Sequence, residues 1–284
     1  MKWNHLSGNT GYIITGGALL LTYRLSEHEI ILFDSGSKQT EKLIALFKTM
    51  GVRVHCVLQT HLHGDHTANN RLLIETYGTK IYASPAEIQT ARSKERIPRE
   101  WGIKVPELVE DAYREYQYPI EPIPYKNGTI RIKGVSFRTH PLPGHSSGHL
   151  GFATPDHVFC AGDALLSHFL VKHAKMPYFS DITAALATIR SLAQMRYPYF
   201  ALAHREIVNG ADIPALAEQN LELEYRILDK MQVLLQNTTD KSASIQIVMD
   251  HLQIHLNRQA DIDLFSTAIE RRLEYLEKNN LYGA

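Results

Sequence analysis

Two cysteines in 284 residues exclude a disulfide framework and a cysteine-rich zinc module. Both, Cys56 and Cys160, sit in apolar stretches (55–58 and 158–161) that read as buried strands. Long apolar runs are also missing. The longest, 17–23 and 30–33, fall far short of the roughly 20 residues that a membrane-spanning helix needs. The chain has no net charge, with 30 basic and 30 acidic residues, so no bulk field selects nucleic acid, an anionic membrane or a polyacidic substrate. The first nine residues carry no apolar stretch ahead of small residues, which makes a secretory leader unexpected and the cytoplasm the expected location. A glycine-rich phosphate loop is lacking, and Ser146 and Ser147 lie outside any Gly-X-Ser-X-Gly context, so a side-chain nucleophile is not expected. What remains is ordinary globular usage, 44% hydrophobic and 21% charged, enough to bury a sizeable core.

Histidine is what the sequence has in number, at 15 copies, several clustered with Asp and Gly at the ends of strand-like runs. Short β patterns at 12–15, 18–24 and 29–33 predict an opening meander. Residues 39–50 place Leu43, Ile44, Leu46, Phe47 and Met50 at helical spacing before Gly51. A strand at 54–58, a helix at 68–77 and a strand at 80–83 follow. Residues 93–125 are charged, rich in Pro and Tyr, and helix-compatible only at 107–116; they read as an insertion or lid. Strands resume at 129–132, 135–140, 149–153 and 157–161, with Asn127-Gly128 and Lys133-Gly134 as turns. A helix at 182–195 and a last strand at 199–203 complete this half.

Past Gly210 the β signal vanishes. Residues 213–235 and 261–276 present apolar stripes (Ile227, Leu228, Met231, Leu234, Leu235; Ile262, Phe265, Ile269, Leu273, Leu276) that must be buried against the rest of the chain, each other or a second copy. A homodimer is therefore expected. With 7 basic and 12 acidic residues, this segment carries −5 and the first 210 residues +5, the reverse of the bias a nucleic-acid-reading extension would carry. His251 and His255 lie four apart on a helical stretch, but Leu252 stands where a zincin would need Glu, so they read as a solvated face.

Thr60-His61-Leu62-His63-Gly64-Asp65-His66 directly follows the 54–58 strand. Four nitrogen and oxygen donors on one turn can converge on a single point, and imidazole with carboxylate suits borderline-soft divalent metals. Further donors follow other strand-like runs: His145 in Pro143-Gly144-His145, Asp163 in Ala161-Gly162-Asp163, and His204 after Ala203. In these motifs, together with Asp34-Ser35-Gly36 and the run 141–150, the chain resembles the metallo-β-lactamase-fold hydrolase superfamily, glyoxalase II-like members included, over about residues 8–210.

The resemblance implies an α/β, four-layer αββα sandwich over 1–210 with a helical extension over 211–284. It implies two divalent ions, Zn2+ foremost with Mn2+ or Fe2+ as alternatives. His61, His63 and His145 would hold one, Asp65, His66 and His204 the other, and Asp163 would bridge them. Around His204 the chain has Ala203 and Arg205 where many relatives have glycine, so this assignment rests on order and spacing, and His204 is preferred to His173 because it follows an apolar strand. The implied activity is hydrolysis of an ester, thioester or lactone-like acyl substrate by a hydroxide bridging the metals, with Asp65 orienting it or accepting its proton. Alternatives within the superfamily are an endoribonuclease or phosphodiesterase and a persulfide dioxygenase with one iron. The expected partner is a small-molecule substrate, with neither nucleic acid nor membrane. His149, Lys172, His173 and Tyr178 are candidate substrate contacts. For His149 a hydrogen-bonded structural role is the stronger expectation; Asp34 is expected to brace the 60–66 loop.

Overall fold

The computed structural model describes residues 1–38, 40–236, 238, 240–254 and 256–281. Seven strands, β1 (Trp3–Ser7), β2 (Thr10–Thr15), β3 (Ala18–Arg24), β4 (Glu29–Phe33), β5 (Arg53–Leu58), β6 (Lys80–Ala83) and β7 (Ile120–Pro122), form one sheet in sequence order. The first four are antiparallel, and β4 to β7 run parallel. Parallel neighbours need crossovers, supplied by α1 (Thr40–Thr49), then α2 (Gly64–Thr67) and α3 (Asn70–Tyr77), and finally α4 (Pro85–Ala91), α5 (Ile97–Trp101) and α6 (Pro106–Glu115).

The second sheet contains β8 (Gly128–Ile132), β9 (Val135–Pro141), β10 (Leu150–Ala153), β11 (Val158–Gly162), β12 (Tyr199–Leu202) and β13 (Glu206–Asn209). The β8–β9 hairpin turns on Lys133 and Gly134, both left-handed at φ 46° and 83°, the conformation that a two-residue turn of this type requires. After β11 come α7 (His168–His173) and α8 (Ile182–Leu192); after β13 come α9 (Ile213–Leu234), α10 (Lys241–His251) and α11 (Gln259–Lys278).

Three apolar cores stack through the molecule and make the four layers. Leu21, Ile31, Phe33 and Cys56 of the first sheet meet Phe137, Phe152 and Cys160 of the second between the sheets. Ile30, Leu32 and Val57 face out to Leu43, Phe47 and Leu73 of the first helical layer. Phe159 and Phe200 face out to Ile189, Ile213, Ile227, Ile269 and Leu273. Helices α9 to α11 thus share a core with the second sheet, which buries Ile227, Leu228, Met231, Leu235, Ile269, Leu273 and Leu276 and packs on the partly buried Leu234 and Phe265. No described helix is long and apolar enough to cross a membrane.

Several expectations are corrected. Residues 93–125 hold more regular structure than the one helix expected: besides α6 they form α5 and β7, which pairs with β6 as the edge of the first sheet, where Pro122 is tolerated because an edge strand has one unpaired side. β13 follows 199–203, so that strand is not the last. The expected 68–77 helix is present as α3, ending at Gly78, whereas α2 inside the histidine turn, α4 and β1 were not expected. Gln39, the expected start of the first helix, and His255 lie outside the described residues, and α10 ends at His251.

Candidate metal centre

The candidate ligands gather where strands end on one edge of the two sheets, the usual location of sites in such sheets. His61, His63, Asp65 and His66 occupy the turn from β5 into α2; His145 sits in the β9–β10 loop; Asp163 follows β11 and His204 follows β12. His204 is reached through a three-residue turn whose last residue, Arg205, is left-handed at φ 67°. That is the conformation glycine adopts most cheaply.

Side-chain atoms converge in two overlapping sets. His63 Nδ1 lies 3.0 Å from His61 Nε2 and 2.9 Å from His145 Nε2. Asp163 Oδ2 lies 3.3 Å from His204 Nε2, 3.4 Å from His66 Nε2 and 3.6 Å from His145 Nε2. Asp65 Oδ2 is 3.7 Å from His66 Nε2. Ligands about 2.0–2.1 Å from a tetrahedral ion are about 3.3 Å apart, so these separations fit a shared cation. Among the described residues, three groupings of donors lie within 4.8 Å of one another: His61 with His63 and His145; His61 with His66 and Asp163; and Asp65 with Asp163 and His204.

Tautomers follow from the outer partners. Thr60 Oγ1 donates to Asp34 Oδ2 at 2.8 Å, so it can only accept from His61 Nδ1–H at 3.0 Å. His145 Nδ1–H donates to the Tyr178 carbonyl at 3.1 Å, and His66 Nδ1–H to Asp34 Oδ2 at 2.9 Å. The Nε2 atoms of His61, His66 and His145 are thereby left as lone pairs aimed inward, as metal-ligating imidazoles require. Lone pairs packed at these distances repel unless a cation lies among them. Asp163 Oδ1 is buried with no hydrogen-bond partner among the described residues, a further free donor at the junction of the two sets. The residues therefore fit a divalent metal centre.

Electrostatics agree. Burial, then the neighbouring imidazoles, hold His61 and His63 well below the usual histidine range, and burial lowers His145 as well, so all three favour the neutral ligand form. Burial also opposes charge on His66, but Asp163, Asp65 and Asp34 outweigh it and raise its pKa well above normal. Burial disfavours the Asp163 carboxylate, yet His66 and His204 keep it well below the ordinary range. The centre draws positive charge toward Asp163.

Asp34 braces the loop as expected, its Oδ1 accepting from the Thr60 backbone N–H at 2.7 Å. His149 is 0% exposed and takes no part in the cavity wall. Its ring stacks on His61, 5.0 Å between centroids, and its Nε2 accepts the Asp163 backbone N–H at 3.2 Å. Gly162 precedes that N–H at φ 55°, and a Cβ there would sit 2.6 Å from His149 Nε2, so glycine lets the imidazole reach the bridge position. Lys172 and His173 are corrected as substrate contacts: α7 turns Leu170 and Ala174 toward the cavity, leaving both polar side chains exposed on its other faces. Tyr178 does line the cavity.

Glu87 was not anticipated. From α4 its carboxylate accepts from the Leu62 N–H at 2.9 Å, the Ser146 hydroxyl at 2.6 Å and the Gly148 N–H at 3.1 Å. It ties the His61–His63 turn to the His145 loop. The sequence signal was Ser84-Pro85-Ala86-Glu87, which reads as a helix-capping box; Ser84 does cap α4, but the Glu side chain points elsewhere. Replacing Glu87 by Gln puts an amide NH2 against one of these donors. Metal affinity should fall about 10–100-fold, as for other residues that support ligands. Competition against a chromophoric chelator measures it, and unchanged affinity would show that the loops hold without Glu87.

Residues 18–204 match the family described as Metallo-beta-lactamase superfamily. A hydroxyacylglutathione hydrolase of Gloeobacter violaceus is 31% identical over 42% of this chain and 37% of its own. An atrochrysone carboxyl ACP thioesterase of Claviceps purpurea is 22% identical over 81% of this chain and 63% of its own. Among the curated relatives, the matched stretch spans 37 to 63% of their own lengths. The crystal structure of a metallo-beta-lactamase family protein from Thermus thermophilus superposes with a TM-score of 0.71 at 20% identity, covering 93% of this chain and 89% of that one.

Proposed function

Because the chain belongs to the metallo-beta-lactamase superfamily, we propose that it is a dinuclear metal-dependent hydrolase of acyl substrates, thioesters foremost. The observation that carries the reading is the position of Asp163 Oδ2, within 3.6 Å of His145 on one side and of His66 and His204 on the other. One ion does not need seven donors; two ions sharing a carboxylate do. The relatives named for thioester cleavage support the substrate class.

Divalent ions bound by these residues would supply Lewis acidity and lower the pKa of water toward neutrality. The chain's own groups supply the rest. Asp65, half exposed beside the cavity, orients the attacking water and accepts its proton. Trp101 and Tyr178 wall off the approach next to His63 and His145, and Tyr178 is held by donating its hydroxyl proton to the Glu100 carbonyl at 2.7 Å. In the net reaction water adds its oxygen to the acyl carbon, the C–S bond breaks, and the proton ends on sulfur, giving an acid and a thiol. Cleavage of nucleic acid is disfavoured because no Lys or Arg among the described residues lines the cavity, where phosphate recognition needs cations.

The test is a panel of thioester, lactone, phosphodiester and β-lactam substrates offered to the zinc-loaded protein. Thioester or lactone cleavage that a chelator abolishes is expected. Turnover confined to phosphodiesters, or unaffected by chelation, would overturn the reading.

A further inference from the structure

The cavity beside Asp65 and Asp163 has a volume of about 440 Å3, within the range of small-molecule sites. Its composition is one-sided. Away from the candidate ligands the wall is built by Trp101, Ile103, Leu166, Leu170, Pro177 and Leu264. These come from three separate parts of the chain: the 93–125 segment, α7 with the loops flanking it, and α11 of the helical extension. Asp261 also borders the cavity, but both its oxygens are held by Arg258, at 2.7 and 2.9 Å. Among the described residues no Lys or Arg lines this wall, and Asp65 and Asp163 belong to the candidate metal centre.

We infer that this cavity receives the acyl part of the substrate, and that this part is an uncharged apolar chain or ring. The inference rests on the acyl-hydrolase reading and narrows it. An anionic acyl group would find no Lys or Arg in the wall to pair with its charge and would lie against apolar side chains. An aliphatic chain would transfer its surface from water onto Trp101, Leu170 and Leu264. The charged portion of a thiol leaving group must then lie outside the cavity. This gives the 93–125 segment and the helical extension a common task, since each contributes side chains to the same acyl wall.

The experiment uses the zinc-loaded enzyme and acyl thioesters that share one leaving thiol, running from acetyl through butyryl and hexanoyl to octanoyl, with succinyl as the anionic comparison. Burial of each methylene should raise kcat/KM about fourfold until the cavity is filled, and succinyl should fall below butyryl. Leu264→Lys, a change at a partly exposed position, should reverse the order by lowering hexanoyl and raising succinyl turnover. Binding of acetamide, butyramide and hexanamide, followed by tryptophan fluorescence against a Trp101→Phe control, should tighten along the same series. A flat or falling chain-length profile, or a preference for succinyl, in an enzyme that does cleave thioesters overturns this inference alone. If no thioester is cleaved the acyl-hydrolase reading fails, and the amide series then decides the cavity: graded binding upholds an apolar site, and ungraded binding removes it.

Discussion

Asp163→Ala should abolish activity and strip the protein of metal, with a loss beyond the roughly 100-fold ceiling of a residue that only supports ligands. Asp163 is the side chain whose one oxygen faces both donor sets and whose other oxygen is buried without a partner among the described residues. Removing it also deletes the carboxylate that opposes the effect of burial on His66 and His204. His149→Ala is the control. It removes the ring stacked on His61 and the acceptor of the Asp163 N–H but no candidate ligand, so its cost should stay within about 10–100-fold. Parallel kinetics and elemental analysis of the two variants check the order; equal losses would move the bridge away from Asp163.

The largest expected effect on stability lies in the helical extension. Arg272 of α11 and Glu224 of α9 are 0% and 1% exposed and paired at 2.6 Å, and Arg272 also donates to the carbonyls of Pro177 at 2.9 Å and Ala268 at 2.8 Å. Arg272→Ala leaves Glu224 charged and alone in the core, which costs about 3–5 kcal/mol. Glu224 Oε1 and Arg272 Nε have no hydrogen-bond partner among the described residues even in the wild type. A double change to Met at both positions should therefore recover most of the loss, since apolar residues of similar volume replace such pairs at little cost. Urea denaturation of metal-free protein measures both. A small loss in Arg272→Ala would show that water reaches the pair. The Pro177 carbonyl adjoins Tyr178, whose own carbonyl accepts from His145. The double variant should accordingly regain stability while keeping weakened metal binding.

How much of this was legible in the sequence depends on how local each signal was. The seven donors stand immediately after apolar strand runs, and that juxtaposition survives folding because strand ends define an edge. Helices with strong apolar stripes, α9 and α11, were equally visible. Strand β1 was not, because Trp3–Ser7 lies half-buried at an edge and carries no alternation. Strand β13 was hidden by its brevity and by the Glu at its start, and β7 by its Pro. Lys172 and His173 were drawn to the cleft by proximity in sequence to Asp163, but six residues of helix are enough to turn side chains to opposite sides. Glu87 and Arg272 act through partners far away in the chain, so no window of sequence contains their roles.

The measurement that bears most directly on the central claim is titration of metal-stripped protein with zinc, following thioester hydrolysis and bound metal by elemental analysis on the same samples. Activity should rise in step with occupancy and level off at about two ions per chain, the number that seven donors with one bridging carboxylate accommodate. Full activity at one ion per chain with no second ion retained, or activity that persists with none, would contradict it.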